Sequence, residues 1–308
     1  MDYTALLNKM VIFVVLMLIG YLLAKRGVID RAFTRMASSL VINVFMVGTI
    51  LNSMLSSEIG TNLTDVLHVL LVTSVVQIIG FVFAFIVTRF IRLEDGRAAV
   101  YELLMALGNT MFIGLPIAEA LYGARAVFVM SISCIPFNVL LYSYGVWRLQ
   151  GGGSGKSLRL KDVFSLPLVA TIVGILLLIG NIPVPAALKG TFSALSGATM
   201  PVSMLVIGAN LSTVSLLDAF RSWQLALASA VKLLIVPVLG WLVCRWMTTE
   251  EALLMTAVII AACPSAVMVS VLGIQYGQDG LFSAEGVQHS TICSLVTIPL
   301  LLSLLSGA

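Results

Sequence analysis

Apolar residues in this chain neither alternate nor recur as a helical stripe. They run on for about 20 residues at a time, closed by charges or by Gly and Pro, and that length matches the hydrocarbon core of a bilayer. Ten such runs can be marked: 4–24, 33–55, 65–91, 98–122, 124–147, 163–180, 190–213, 222–246, 251–274 and 281–304. Each is predicted to be a membrane-spanning helix. The first is expected to be retained as a span, because Lys25 and Arg26 follow its apolar stretch instead of preceding it and no A-x-A-like site closes it.

Composition agrees with the pattern. The chain is 60% hydrophobic and 10% charged, with a mean hydropathy of +1.10. A soluble protein of 308 residues needs a charged surface that these numbers do not supply. Lys and Arg gather on alternate loops, as they do on the cytoplasmic side of a membrane. Lys25, Arg26, Arg31, Arg35, Arg89, Arg92, Arg97, Arg148, Lys156, Arg159, Lys161 and Arg221 fall on one side, against Lys9, Arg125, Lys189 and Arg245 on the other. The odd-numbered loops are therefore expected in the cytoplasm and both termini outside, in the inner or plasma membrane. The net charge of +3 thus reports topology, with no nucleic-acid partner implied. Cys134, Cys244, Cys263 and Cys293 stand singly, without metal or redox spacing, and are expected to be free thiols. The glycine-rich GGGSGKS at 151–157 lacks the first Gly of a phosphate-binding loop, since Gln150 holds that place, so no cofactor is expected.

A weak internal repeat runs through the chain. Leu103-Leu104-Met105 recurs as Leu253-Leu254-Met255, and Tyr122-Gly123 as Tyr276-Gly277. Ser74-Val75-Val76-Gln77 is echoed by Ser229-Ala230-Val231-Lys232, Met46-Val47 by Met200-Pro201, and Ile135-Pro136 by Ile298-Pro299. All separations fall between 148 and 163 residues and keep their order. The expected organisation is a five-helix repeat over 1–148, a cytoplasmic linker over 149–162, and a second five-helix repeat over 163–308. An odd number of spans per repeat inverts the second relative to the first. Inverted repeats belong to secondary transporters, whose sites lie at interrupted helices near the midplane.

Two spans carry such interruptions. LGNTMFIGLP at 107–116 places Gly108, Asn109, Thr110, Gly114 and Pro116 inside an apolar span, and Cys263-Pro264-Ser265 stands in the corresponding region of the ninth. Proline removes a donor and blocks the carbonyl four residues back, which for Pro116 is Phe112. Asn and Thr can bond the freed backbone or a ligand. Each break leaves a half-helix N-terminus suited to an anion such as a carboxylate. The competing reading is an ordinary proline kink in each span.

The residues Asn109-Thr110-Met111-Phe112-Ile113-Gly114-Leu115-Pro116, followed by Tyr122-Gly123, resemble the first crossover motif of the auxin efflux carrier family. Ala262-Cys263-Pro264 followed by Tyr276 resembles its second, and Ser290-Thr291 with Thr297 and Pro299 is similar to its last span. That family includes plant auxin exporters and bacterial carriers of malate and malonate. The resemblance covers essentially the whole chain. It implies an all-α membrane protein of ten helices, five plus five inverted, with the fourth and ninth interrupted and crossing. It further implies a scaffold domain, a mobile transport domain working as an elevator, an organic-anion substrate and a homodimer. Asn109, Pro116 and Pro264 would frame the substrate site, with Thr110, Gly114, Cys263, Ser265 and Asn43 as further candidates. One departure is Met46-Val47, where the family usually has Leu-Pro.

Other polar residues within spans are candidates for coupling or structural charge. Lys232 in the eighth span needs a partner, either exposed carbonyls of a broken helix or an anionic substrate, and Gln77 is its counterpart in the repeat. Glu119 could accept a proton or stand solvated at the outer interface, and Asn138 has no assignable role. Glu285 and His289, spaced i, i+4, could relay a proton or form a structural pair. Coupling to protons and coupling to sodium, the latter in the manner of a bile-acid symporter, both remain as alternatives. The ninth span has no carboxylate between Glu251 and Asp279, which counts against the sodium reading. An enzyme is not expected: His68 and His289 are the only histidines, and no H-E-x-x-H or G-x-S-x-G occurs.

Overall fold

The computed structural model describes residues 3–55, 62–94, 96–151, 165–180, 182–212 and 220–305. Every regular element among them is helical, as an apolar medium demands, because each backbone N–H and C=O must find its partner within the segment. The first four are α1 (Tyr3–Lys25), α2 (Arg31–Met54), α3 (Leu63–Phe90) and α4 (Ala98–Ala106). The helical stretch Thr110–Leu149 is divided at Gly123 into α5 (110–122) and α6 (124–149). Gly123 has φ 63° and ψ −150°, a conformation open to glycine and strained for any side chain. Then come α7 (Leu166–Ile179), α8 (Ala186–Leu211), α9 (Trp223–Cys244), α10 (Glu251–Ala262), α11 (Val267–Gln275) and α12 (Gly280–Leu305).

Among the described residues six helical stretches are long and apolar enough to cross a membrane, and three shorter apolar helices accompany them. The chain is therefore a multi-pass integral membrane protein. Most of the linker expected over 149–162 lies outside the described residues. The contacts divide the chain into two compact units that do not follow its two sequence halves. Unit 1 takes Met1–Leu71, Met111–Ile135 and Phe164–Thr213, and unit 2 takes Val72–Thr110, Pro136–Val163 and Val214–Ala308.

Unit 1 is built on close approach of helices through small residues. With lipid outside, helices gain from packing and interhelical hydrogen bonds, so Gly, Ser and Thr concentrate at their seams. α1 runs along α8 with Gly20 against the carbonyl of Leu205 and Gly208 against that of Met17. Gly174 of α7 similarly receives Met54 of α2. Thr49 and Thr199 share a hydrogen bond of 2.7 Å between α2 and α8. Arg125 grips both carboxylate oxygens of Asp65 at 2.6 and 2.8 Å. Within α2 a wide π-helical turn over Val41–Phe45 directly precedes Met46-Val47.

Unit 2 turns apolar residues outward and polar ones inward. Ile78, Val82, Leu242, Val271, Val296 and Leu300 are exposed on it, while Thr73, Glu102, Ser229, Lys232, Thr256, Gln288, His289 and Ser290 are buried. Glu102, with its side chain 1% exposed, is held by Tyr144 and by Arg148 at 2.9 Å. At one end Asp279 caps α12 through the N–H of Phe282 and receives Arg97 Nε at 2.8 Å. Burial pushes the Asp279 carboxyl up, but the Phe282 N–H and the Arg97 guanidinium outweigh it, and the net displacement is below the ordinary carboxylate range.

Candidate functional site

The chain interrupts α4 and α10 at matching places, and within unit 2 the two interruptions meet. α4 ends at Ala106, after which Leu107 is extended, with φ −98° and ψ 121°. α10 ends at Ala262, and Cys263 and Ala266 are extended likewise. The two extended segments pair antiparallel at Gly108 and Ser265. Asn109 N–H donates to the carbonyl of Pro264 at 2.6 Å, and Ala266 N–H to that of Leu107 at 3.0 Å. Ser265 ties both sides: its N–H donates to Ser290 Oγ at 3.0 Å and its Oγ donates to the carbonyl of Leu104 at 2.7 Å. Each break thus gives an acceptor to one N–H group of the other, which helps an interrupted helix survive inside a membrane.

Gly108 leaves little room for a side chain at this crossing. A Cβ there would stand 3.1 Å from Cys263 Cβ, 3.2 Å from the carbonyl oxygen of Ile260 and 3.2 Å from Lys232 Nζ. Lys232 reaches the crossing from a π-helical turn of α9 over Val231–Ile235. It is 2% exposed and borders a cavity of about 10 Å³ together with Gln77, Gly80, Ala106, Gly108 and Thr110. That is about the room one water molecule needs, and less than any carboxylate solute fills.

Asn109 and Thr110 are 7% and 5% exposed. Among the described residues no hydrogen bond engages the Asn109 side-chain amide or the Thr110 hydroxyl, whose backbone groups alone join the crossing. Two buried polar side chains are therefore left to a ligand or to water, beside the start of a helix with its partial positive charge.

The structure brings Asn109, Thr110, Cys263, Pro264, Ser265, Gln77 and Lys232 into unit 2 around the crossing. Gly114, Pro116, Glu119 and Asn43 belong to unit 1. The interruption, expected within 107–116, falls at its start, at Leu107–Asn109. Helix resumes at Thr110 with a π-helical turn ending at Gly114, and Pro116 follows that turn inside the continuing helix. Glu119 is half-buried and accepts a hydrogen bond from Ser196 at 2.9 Å, so it is not simply solvated. Asn43 is exposed and donates to Ser39 Oγ at 3.0 Å. His289 Nδ1 bonds Ser229 Oγ at 2.7 Å from the next helix, and Glu285 adds a favourable charge to Arg97.

Sequence reasoning missed the Glu102–Tyr144–Arg148 cluster. Glu102, a carboxylate within the span 98–122, was its signal, since such a charge demands a partner. Among the described residues no group of three or more His, Cys, Asp or Glu is placed to hold a metal ion.

The sequence profile of the membrane transport protein family matches residues 5–156 and 153–302. An uncharacterized transporter of Methanothermobacter thermautotrophicus is 26% identical over 293 residues, covering 93% of this chain and 94% of that protein. An uncharacterized transporter of Methanocaldococcus jannaschii is 25% identical over 303 residues, covering 96% and 97%. With its helices interrupted and paired at 107–109 and 263–266 and the family profile running over nearly its whole length, the chain belongs to this family of membrane transporters, the auxin efflux carriers.

Proposed function

We propose that this protein is a secondary carrier of small organic carboxylates that works by alternating access. The reading takes the chain as ten passes in two inverted five-helix repeats, assembled as a homodimer in the inner or plasma membrane with both termini outside. One observation carries it: at the crossing, the buried Asn109 amide and Thr110 hydroxyl have no partner among the described residues. They lie where a half-helix begins, and free N–H groups with a partial positive charge favour a carboxylate there. The repeat is supported by Gln77 and Lys232, matched in the sequence halves and bordering one cavity. Because that cavity admits only a water, solute entry requires a second conformation, and an elevator movement of the unit bearing the crossing would provide it.

The test is uptake of labelled malate, malonate and a monocarboxylate into proteoliposomes, with sodium or potassium outside. Saturable uptake that collapses in Asn109→Ala is expected. That variant keeps the backbone bond to Pro264, so it should remain folded. Undiminished uptake in Asn109→Ala would remove the crossing as the site. A strict requirement for sodium would replace this reading with a symporter of the bile-acid type.

A further inference from the structure

We propose that Lys232 is a tethered cation. Its ammonium occupies the place where a free monovalent cation would otherwise be required to neutralise the converging C-terminal ends of α4 and α10. The inference concerns the crossing itself and does not depend on which solute is carried.

The argument begins with carbonyls. In an unbroken helix each accepts the N–H four residues on. At the crossing those donors are diverted or missing. The donor due to Ile260 would come from position 264, which is proline and has none. The donor due to Ala261 is Ser265 N–H, which goes to Ser290 Oγ, and the one due to Ala262 is Ala266 N–H, which goes to Leu107. In α4 the donor due to Met105 is Asn109 N–H, which goes to Pro264, and that due to Ala106 is Thr110 N–H, which goes to Gly108. Five carbonyls thus lose their helical partners. The residues of three of them, Ala106, Ile260 and Ala261, border the same cavity as Lys232. Ile260 O and Lys232 Nζ flank one point beside Gly108, each 3.2 Å from it.

Charge balance fits one cation. A helix C-terminus carries roughly half a negative charge, so two converging ends amount to about one. Lys232 supplies one positive charge, and among the described residues no carboxylate lies within ion-pair distance of it. A carboxylate would have made the lysine an ordinary buried ion pair; without one, the carbonyl ends are its counter-charge. In transporters, half-helix C-termini and unwound carbonyls are the groups that coordinate a coupling cation. Here the chain fills that place with its own side chain, so a second cation would leave an unbalanced charge in the membrane interior.

The test is thermal unfolding of detergent-purified protein without solute, in choline, sodium or methylammonium chloride at equal ionic strength. The parent should unfold at the same temperature in all three salts. Lys232→Ala should unfold at least about 5 °C lower in choline, and sodium or methylammonium should restore much of that saturably, as a ligand binding only the folded state does. Lys232→Met, which fills the space without charge, should be destabilised and not restored. If Lys232→Ala does not fold, Lys232→Gln reads the same point, and it should acquire the cation dependence. Three outcomes overturn the proposal: saturable sodium stabilisation of the parent, Lys232→Met as stable as the parent, or Lys232→Ala and Lys232→Gln indifferent to every cation. Because no solute is present, failure here leaves the uptake experiment to judge the carrier reading separately.

Discussion

The seam between α1 and α8 gives the sharpest stability prediction. A Cβ on Gly208 would stand 1.9 Å from the carbonyl oxygen of Met17, and one on Gly20 would stand 2.1 Å from that of Leu205. A carbon–oxygen contact needs about 3.3 Å, so Gly208→Ala forces the backbones apart by more than 1 Å, roughly the 3.3 Å requirement less the observed gap. The obstacle is backbone, so no rotamer change relieves it. Moving a packed surface by about 1 Å forfeits up to about half the dispersion energy at each contact along it. Overpacking of this severity costs about 2–4 kcal/mol, at or beyond the upper end of the usual range. At about 2–4 °C per kcal/mol that lowers the unfolding temperature by roughly 4–16 °C. Gly190→Ala provides the control on the same helix, because nothing lies within 4 Å of its Cβ position. It should be neutral or stabilising by up to about 1 kcal/mol through helix propensity. The assay is a heating ramp with a thiol-reactive fluorogenic dye, since Cys134, Cys244 and Cys263 are buried thiols outside any disulfide. Scan rate must be fixed because membrane proteins unfold irreversibly. Adding Gly20→Ala to Gly208→Ala should cost little more, as the seam is already parted. Gly208→Ala unfolding no lower than Gly190→Ala would refute the reasoning.

Three further predictions follow from individual contacts. Arg148→Ala should destabilise by about 3–5 kcal/mol because it strands the buried Glu102 carboxylate, and Glu102→Gln/Arg148→Ala should recover part of that in the same ramp. Ser265→Ala should cost about 1–3 kcal/mol by leaving the buried Leu104 carbonyl short of a donor, and Ser265→Cys should recover less than half of it. Asp279→Asn removes a carboxylate whose folded-state pKa lies below its unfolded value, so its contribution is present above about pH 4 and is lost as pH falls through the lower folded value. The gap in unfolding temperature between parent and Asp279→Asn should hold from pH 7 to 5 and shrink toward pH 3.5, while a gap that widens on acidification would contradict the sign.

Much of the architecture was legible because a membrane punishes polarity. Gly108, Asn109, Thr110 and Pro264 stood out against apolar runs, and the structure gathers all four at one crossing. Gln77 and Lys232 were paired by the repeat alone and border one cavity. The exact place of the first break within 107–116 was not legible. The sequence reading marked the whole stretch, with a donor missing at Pro116 near its end. The energetics put it at Leu107–Asn109, where the partner segment at 263–266 offers hydrogen bonds in exchange. A break needs an acceptor across from it, and that information resides some 150 residues away in the chain. Glu102 escaped notice for the same reason, its partners Tyr144 and Arg148 lying on α6.

The same economy explains why one strand of polar chemistry can sit inside so apolar a unit. The crossing diverts N–H groups toward each other and toward Ser290, which leaves carbonyls at its helix ends without their helical donors. Lys232 answers those ends, and the Asn109 and Thr110 side chains stay uncommitted. The two sides of the crossing therefore have opposite electrostatic character, carbonyl ends with their cation on one and a helix beginning with free donors on the other. An anion is attracted to the second side only if the first is neutralised. On this argument Lys232 would matter to solute affinity without touching solute, and Asn109 would matter by touching it.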